Sequence, residues 1–425
     1  ENYSQYIFRC RAGFIRRRRA DKSEAFATAF ASLSVLDERG HRDHIVVGKM
    51  PVIFLIAGEQ SGDVLGARLM HAIRARRPDI AFAGIGGNAM AAQGLNSLFP
   101  IRGLALMGLL EVLPRIFELR ALLRRTVTDI KARRPDVLVT IDSPGFTLRV
   151  LRALQPTMLR RAHYVAPQVW AWQENRVKHY PGLWDELLCL LPFEPGFFAS
   201  HGLPARFVGH PVLESGAETG NAERFRCRHA ISPGAKILTV MPGSRRTEVS
   251  RLLPILHETI KLLPETVVPV VPLAGPVEEM VRQRTASWPV PPILVADTES
   301  KHDAFAASSA ALTKSGTSTL ELALANVPML VTYRINPLSH QIAKRMIKVK
   351  YASILNLLLD RPVVPELLQY ESRPDRLAAE LHRLLTNPDA VAAQRQGFAE
   401  ALTLLRAPLG KPSECAADAV LSMLP

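Results

Sequence analysis

The chain has 425 residues, 48% of them hydrophobic and 22% charged, which excludes a disordered or fibrous protein and is long enough for two domains. Its formal charge of +14 calls for an anionic partner, whether nucleic acid, an acidic membrane surface or phosphorylated substrates. No apolar run reaches the roughly 18 to 20 residues that span a bilayer, and Cys10, Cys189, Cys227 and Cys415 lack any Cys-x-x-Cys spacing, which argues against a disulfide framework or structural zinc. A reducing compartment is the simpler reading.

Residues 1–49 carry ten Lys/Arg against six Asp/Glu, include the arginine block 16–19 and lack a strand-helix rhythm. They read as an upstream extension or a disordered basic arm, with Met50 as the natural start. No apolar core followed by a small-residue cleavage site marks a secretory signal.

From residue 51, short apolar runs alternate with amphipathic stretches, the pattern of βαβ units and a parallel sheet. Strands are expected over 52–58, 82–87, 136–142, 162–167, 186–191 and 206–210. The first ends in the glycine turn "IAGEQSGDVLG" (56–66), which has the form of a phosphate cradle. In "PDVLVTIDSPGF", Asp142 closes an apolar strand, and Pro144 and Gly145 open a helix behind it. Apolar surroundings raise a carboxyl pKa and suit it to general-base work; a helix-capping role fits the same position equally well.

The segment 105–125, "ALMGLLEVLPRIFELRALLRR", has apolar residues too closely spaced for one narrow stripe, together with Arg115, Arg120, Arg124 and Arg125. It fits either a buried helix or one lying in an anionic membrane interface, where each basic residue contributes about 1 kcal/mol. Trp170 and Trp172 in "YVAPQVWAW" fit the core or a sugar or acyl site. The histidines, His163, His201 and His210 among them, form no metal-ligand pattern, and no Asp-x-Asp pair exists to hold a metal-bridged diphosphate. Positive charge for a phosphate must come from the protein itself.

A second strand series follows the polar segment 214–225, over 237–243, 267–274, 293–297, 310–316 and 328–333. Two Rossmann-like domains in series enclose a cleft at the carboxyl ends of their strands, where ligands sit. In "MPGSRRTEV" (241–249), Gly243 ends a strand, Ser244 is positioned to cap the next helix, and Arg245 and Arg246 add charge that matches phosphate oxygens. In "TKSGTSTLELAL" (313–324), Ser315, Gly316 and Thr317 lead into a helix whose first N–H groups can receive a diphosphate, with Glu321 one turn inside for ribose hydroxyls. An ordinary capped helix fits as well.

The ordered set "AGEQSGD", "MGLLEVLP", "PDVLVTIDSPGF", "HYVAPQVWAW", "LLPFE", "FVGHP", "MPGSRRTEV", "KSGTSTLELAL" and "YASILNLL" resembles the lipid-A-disaccharide synthases, bacterial glycosyltransferases of the GT-B type, from residue 52 onward. The resemblance implies two Rossmann-like doubly wound domains facing across a cleft. It implies transfer of diacylglucosamine from UDP-2,3-diacylglucosamine to the 6-hydroxyl of 2,3-diacylglucosamine 1-phosphate, giving a β-1,6 disaccharide 1-phosphate and UDP, with inversion and with neither cofactor nor metal. The family's essential aspartate falls on Asp142 and its essential arginine on Arg245; Gly243, Ser244, Ser315, Gly316, Thr317, Glu321 and Asn356 fall at the UDP.

Because the stronger nucleotide signals lie in the second domain, the turn at 58–62 is expected to face the acceptor, with Glu59, Ser61 and Asp63 for its polar head and Met107 and Glu111 also on the substrate. The expected division is 1–49 extension, 50–213 acceptor and membrane-facing domain, 214–372 UDP-sugar domain, and 373–425 a helical tail packing on the first domain or a partner subunit. Family members are peripheral proteins on the cytoplasmic face of the anionic inner membrane, and some dimerise by exchanging C-terminal segments. Gln60 departs from a position where a small hydroxyl residue is common, so no contact is assigned to it. The rivals are another GT-B enzyme, such as an undecaprenyl-linked N-acetylglucosaminyltransferase or a UDP-sugar 2-epimerase, and a basic nucleic-acid-binding Rossmann protein. The first would lack "MGLLEVLP" and "YVAPQVWAW"; against the second, no recognition module stands out and no nucleic acid partner is expected.

Overall fold

The computed structural model describes residues 34–36, 42–44, 50–104, 116–336, 341 and 346–425. The chain divides into two compact units, Glu1–Met50 and Pro51–Pro425. In the first, β1 (Ser34–Leu36) pairs antiparallel with β2 (Arg42–His44); the rest of the stretch read as an extension or basic arm lies outside the described residues.

In the second unit the chain begins with a parallel sheet of β3 (Val52–Ala57), β4 (Ala81–Ile85), β5 (Val137–Ile141), β6 (Arg160–Tyr164), β7 (Glu186–Cys189) and β8 (Ala205–Phe207). The spatial order is β4-β3-β5-β6-β7-β8. Its runs, such as "VIFLIA" and "VLVTI", are buried along both faces, as covered parallel strands must be. Among the described residues, the helices of this half are α1 (Gln60–Arg76), α2 (Asn88–Ala92), α3 (Ile116–Arg133), α4 (Pro144–Leu154), α5 (Val169–Trp172) and α6 (Glu194–Ala199). Phe54, Ile56 and Leu138 pack with Leu148 and Leu151 on one face; Ile53, Leu55 and Val139 pack with Leu69 and Ile73 on the other.

The remaining chain builds a second parallel sheet from β9 (Lys236–Met241), β10 (Val267–Pro272), β11 (Ile293–Val295), β12 (Ala310–Lys314), β13 (Met329–Tyr333) and β14 (Glu366–Leu368), in the order β11-β10-β9-β12-β13-β14. Edge strand β14, three residues long, carries no apolar run that would announce it. The helices among the described residues are α7 (Ala222–Arg228), α8 (Arg246–Lys261), α9 (Glu278–Thr285), α10 (Thr298–Ala307), α11 (Ser318–Leu324), α12 (Ile354–Leu359), α13 (Pro374–Thr386), α14 (Pro388–Leu404) and α15 (Pro412–Leu421).

The tail does not behave as one piece. Leu377 and Leu381 of α13 join the core under β9, and Phe398 of α14 packs with Val331 and Leu355, so both helices complete the second sheet. Only α15 crosses back, placing Ala416, Ala417 and Val420 against Val137 and Val139 of the first sheet. Apolar spacing in α13 and α14 seals the second core, so the expected packing of the 373–425 tail back on the first domain describes α15 and is corrected for α13 and α14.

The strand orders locate the sites. In the first sheet the chain runs from β3 to β4 on one side and returns to β5 on the other, which makes the β3/β5 boundary a topological switch point. In the second, β9 to β11 run outward before β12 returns beside β9. Ligands bind at the carboxyl ends of strands flanking such points, here the turns after Ala57, Ile141, Met241 and Lys314.

Candidate active site

The β3/β5 crevice is built on strained backbone. Asp142 and Ser143 both sit in the left-handed region, with φ of 49° and 48°, and Val165, just past β6, has φ of 78°. β-Branched residues rarely tolerate that conformation, and such outliers gather where function over-determines the fold. The turn is pinned by Asp142 N–H donating to the Tyr164 carbonyl (2.8 Å) and Thr147 Oγ1 donating to the Asp142 carbonyl (2.7 Å). Gly58 is required by the same turn, since a Cβ there would lie 2.4 Å from Ser143 Oγ. The first glycine of the 56–66 turn therefore makes room for Ser143.

No side chain caps the start of α4, so Asp142 is not spent on the capping role. Burial lifts its carboxyl above the usual range, partly offset by a hydrogen bond from the Ser143 backbone and by the charge of Arg245. Glu59, the residue before α1, is raised too, by burial first and then by the negative charge of Asp142, with Arg245 again acting in the opposite sense. One arginine from the second half thus reaches both acids of the first, and the two crevices face each other.

Ser61 is exposed at the start of α1. Asp63 is not available to an acceptor. It is 4% exposed, and its carboxylate accepts from the backbone N–H groups of Gly87 (2.7 Å), Ala89 (2.9 Å) and Met90 (3.0 Å), so it caps α2. Because α1 starts at Gln60, Asp63 falls inside the helix and points toward the 87–90 turn. Met107 and Glu111, with the rest of 105–115, lie outside the described residues.

The β9/β12 crevice is cationic. Gly243 has φ of 114° and lies against Glu248: a Cβ would come 2.7 Å from Glu248 Oε2. Ser244 does not cap α8; the helix-start position belongs to Arg245, with no side-chain cap. Four residues, Pro242 to Arg245, link strand and helix, and the last of them, Arg245, is extended, at φ −105° and ψ 137°, with its side chain half exposed. At the second turn Gly316 has φ of 149°. Thr317 precedes α11 without capping it, Thr319 Oγ1 bonds back to the Gly316 carbonyl (2.7 Å), and Ser315 Oγ donates to the Ala352 carbonyl (2.6 Å). Since α11 has only seven residues, its dipole is short, and charged side chains must supply most of any anion affinity.

Glu321 is held by Lys301 through contacts of 3.1 and 3.2 Å. Asn356 is 1% exposed and fully occupied. Its Oδ1 accepts from Val363 and Val364 N–H, and its Nδ2 donates to the Val364 carbonyl and to Glu366 Oε1. It cannot also bond a nucleotide in this conformation, which corrects the direct contact expected of it. Glu366 also takes the N–H groups of Ala352 and Ser353, so Asn356 braces the loop that receives Ser315. Sequence reasoning missed Glu366, Glu248, Lys314 and Tyr333. Lys314 and Glu248 stand inside the quoted motifs, but only strand register brings them together.

The family model described as lipid-A-disaccharide synthetase matches residues 53–420. The chain is 54% identical over 377 residues to the lipid-A-disaccharide synthase of Gluconobacter oxydans, covering 88% of this chain and 91% of that one. It is 53% identical over 388 residues to that of Granulibacter bethesdensis, covering 88% and 99%. Among solved structures it is similar in fold, at 13% identity and a TM-score of 0.58, to UDP-GlcNAc 2-epimerase from Neisseria meningitidis, covering 88% and 99%. The glycotransferase of kitacinnamycin is similar at 16% identity and 0.56, covering 89% and 100%. With a family model over most of its length and relatives above 50% identity, this GT-B chain belongs to the lipid-A-disaccharide synthase family and is a glycosyltransferase of lipid A biosynthesis.

Proposed function

We propose that the chain transfers diacylglucosamine from its UDP conjugate to the 6-hydroxyl of diacylglucosamine 1-phosphate, with the acceptor at the β3/β5 crevice and the UDP at the β9/β12 crevice. The observation that carries this reading is the charge of Arg245 acting on both Asp142 and Glu59 from the opposite side of the cleft. A base and a leaving-group cation would then lie on the two sides of one reacting carbon.

In this mechanism Asp142 takes the proton of the 6-hydroxyl as its oxygen attacks the anomeric carbon on the face opposite UDP. The glycosidic C–O bond forms as the bond to the diphosphate oxygen breaks, and the configuration inverts. Arg245 offsets the charge growing on the departing diphosphate, aided by backbone N–H groups near Ser315, Gly316 and Thr317. Gly243 and Ser244 give the backbone of that wall, Glu321 reaches the ribose hydroxyls, and Glu59 and Ser61 meet the acceptor head. Burial raises the Asp142 pKa, which brings its basicity closer to what proton abstraction near neutrality needs.

The lipid substrates bring the enzyme to the anionic cytoplasmic face of the inner membrane. Support comes from the start of α3, where Phe117 is 77% exposed beside exposed Arg120, Arg124 and Arg125. Among the described residues no helix is long and apolar enough to cross a membrane. A homodimer would exchange α15, the helix that here sits on its own first sheet.

Incubation with UDP-diacylglucosamine and the monosaccharide 1-phosphate in detergent, read by mass spectrometry, is the direct test. Disaccharide 1-phosphate and UDP are the expected products; folded protein that forms neither overturns the reading. Flotation with phosphatidylglycerol vesicles, weakened by Phe117→Ser and by salt, tests the membrane seat.

A further inference from the structure

Beside the arginine carried by the β9 turn, the second crevice holds a cation to which the mechanism above gives no role. Lys314 is the last residue of β12, where strand register sets it beside Thr332 of β13. Its stem is buried, its side chain 19% exposed, and its ammonium folds over the following turn: a Cβ on Gly316 would lie 2.9 Å from Nζ. Glycine at 316 therefore leaves space that the ammonium occupies.

The carboxylate nearest this ammonium is a poor partner. Glu248 Oε1 stands 3.8 Å from Lys314 Nζ, beyond hydrogen-bond length, and 3.4 Å from Arg245 Nη1, while Tyr333 OH donates to the same oxygen at 3.3 Å. Glu248 Oε2 is buried with no hydrogen-bond partner at all. One carboxylate is thus shared between two cations, accepting one long hydrogen bond from Arg245 and none from Lys314, which leaves the group with a net positive charge and unspent N–H donors at the turn. Burial also lowers the Lys314 pKa, with Glu248 opposing that shift; an added anion would hold the proton more firmly.

We propose that Lys314 is a second cation for the diphosphate of the UDP-sugar, kept beside Arg245 by the carboxylate they share, Glu248. This rests on the placement of the diphosphate at the β9 and β12 turns. Arg245 presents a planar fork and Lys314 a point charge, so the pair can hold two phosphates of one diphosphate from adjacent strands. Glu248 sets the spacing of the two cations and touches no substrate.

The test compares UDP with uridine, because lost phosphate contact weakens the first and spares the second. Calorimetry on the full chain, with ligand-observed NMR for uridine, should show Lys314→Met binding UDP about tenfold more weakly with uridine unchanged. Lys314→Arg should recover most of the loss. The KM for the UDP-sugar should rise by a similar factor while that for the acceptor stays. Should Lys314→Met fail to fold because Glu248 is left uncompensated, the paired change with Glu248→Gln removes the imbalance and carries the same expectation. Wild-type UDP affinity in the variant, or an equal loss for UDP and uridine, overturns the proposal. Arg245→Ala is the control on the placement: if it leaves UDP affinity intact, the diphosphate lies elsewhere and the broader reading fails; if it weakens UDP and Lys314→Met does not, only the role of Lys314 falls.

Discussion

The two crevices are made by the same topological device and filled with opposite chemistry. At the β3/β5 switch point, left-handed backbone at Asp142 and Ser143 and the extended Glu59 before α1 bring together two raised carboxyls. At the β9/β12 switch point, glycines at 243 and 316 make room for Glu248 and Lys314, beside the half-exposed guanidinium of Arg245. The acid side keeps its charge density low by burial; the cation side keeps its donors underused by long contacts. A parallel sheet supplies the location, and the few residues past each strand decide whether it handles protons or phosphates.

The sharpest way to break this contrast is to neutralise each side. Asp142→Asn keeps the shape of the turn and removes the proposed base, so kcat should fall by about a thousandfold or more with the thermal midpoint nearly unchanged. Turnover near wild type would end its role as base. Arg245→Ala should cost about a hundredfold to a thousandfold in kcat and also move the pH profile. A base must be ionised, so activity disappears as pH falls through the Asp142 pKa. Arg245 lowers that pKa, so its removal should shift the acid limb to higher pH, measured in kcat/KM from pH 4 to 8. An unmoved limb would mean that the two sides do not sense each other.

How legible this was in the sequence differs between the two levels. Every strand expected from an apolar run exists, because runs such as 52–57 and 137–141 are buried on both faces and leave little freedom in assignment. Edge strand β14 was silent, being three residues paired on one side. For the site, Asp142 and Arg245 stand out in sequence because one directly follows β5 and the other opens α8, each within its own motif. Asp63 and Asn356 were misplaced because their partners, the 87–90 amides and the 363–366 loop, are fixed by tertiary packing. The Lys314–Glu248–Arg245 group arises from register between β9, β12 and β13, which no local spacing encodes.

The seam between the halves offers a smaller effect. Glu194 is buried at the start of α6, accepting from Leu190 and Leu191 N–H and from Trp170 Nε1 (3.1, 3.0 and 3.1 Å), and Trp170 and Leu191 pack with Leu320 and Val331 of the second half. Burial pushes its carboxyl up to about 7 from 4.5, against the pull of those donors. The folded chain therefore keeps a proton that the unfolded chain releases between those values. The stabilisation is full below about 4.5 and is lost as pH rises through 7, a swing of about 3 kcal/mol. Glu194→Gln should remove that slope, so thermal midpoints at pH 5 and pH 8 should differ less in the variant than in wild type. Equal differences would show that Glu194 does not titrate in this range.

The smallest expected effect tests whether the strained turn of the acid side is held by its neighbour. An alanine at Gly58 would place its Cβ 2.4 Å from Ser143 Oγ and 2.5 Å from Ser143 Cβ, so the turn must move, at a cost of about 1–2 kcal/mol. Because Asp142 shares that turn, kcat should fall more than the lost stability explains, while affinity for UDP, which the proposed mechanism places in the other crevice, should hold. Ser143→Ala would not relieve the collision, since its Cβ remains. Ser143→Gly would, because it removes both atoms and accepts φ of 48° without strain. Gly58→Ala combined with Ser143→Gly should therefore regain activity that Gly58→Ala with Ser143→Ala does not. If the two double variants behave alike, the 58–143 contact does not set the position of Asp142.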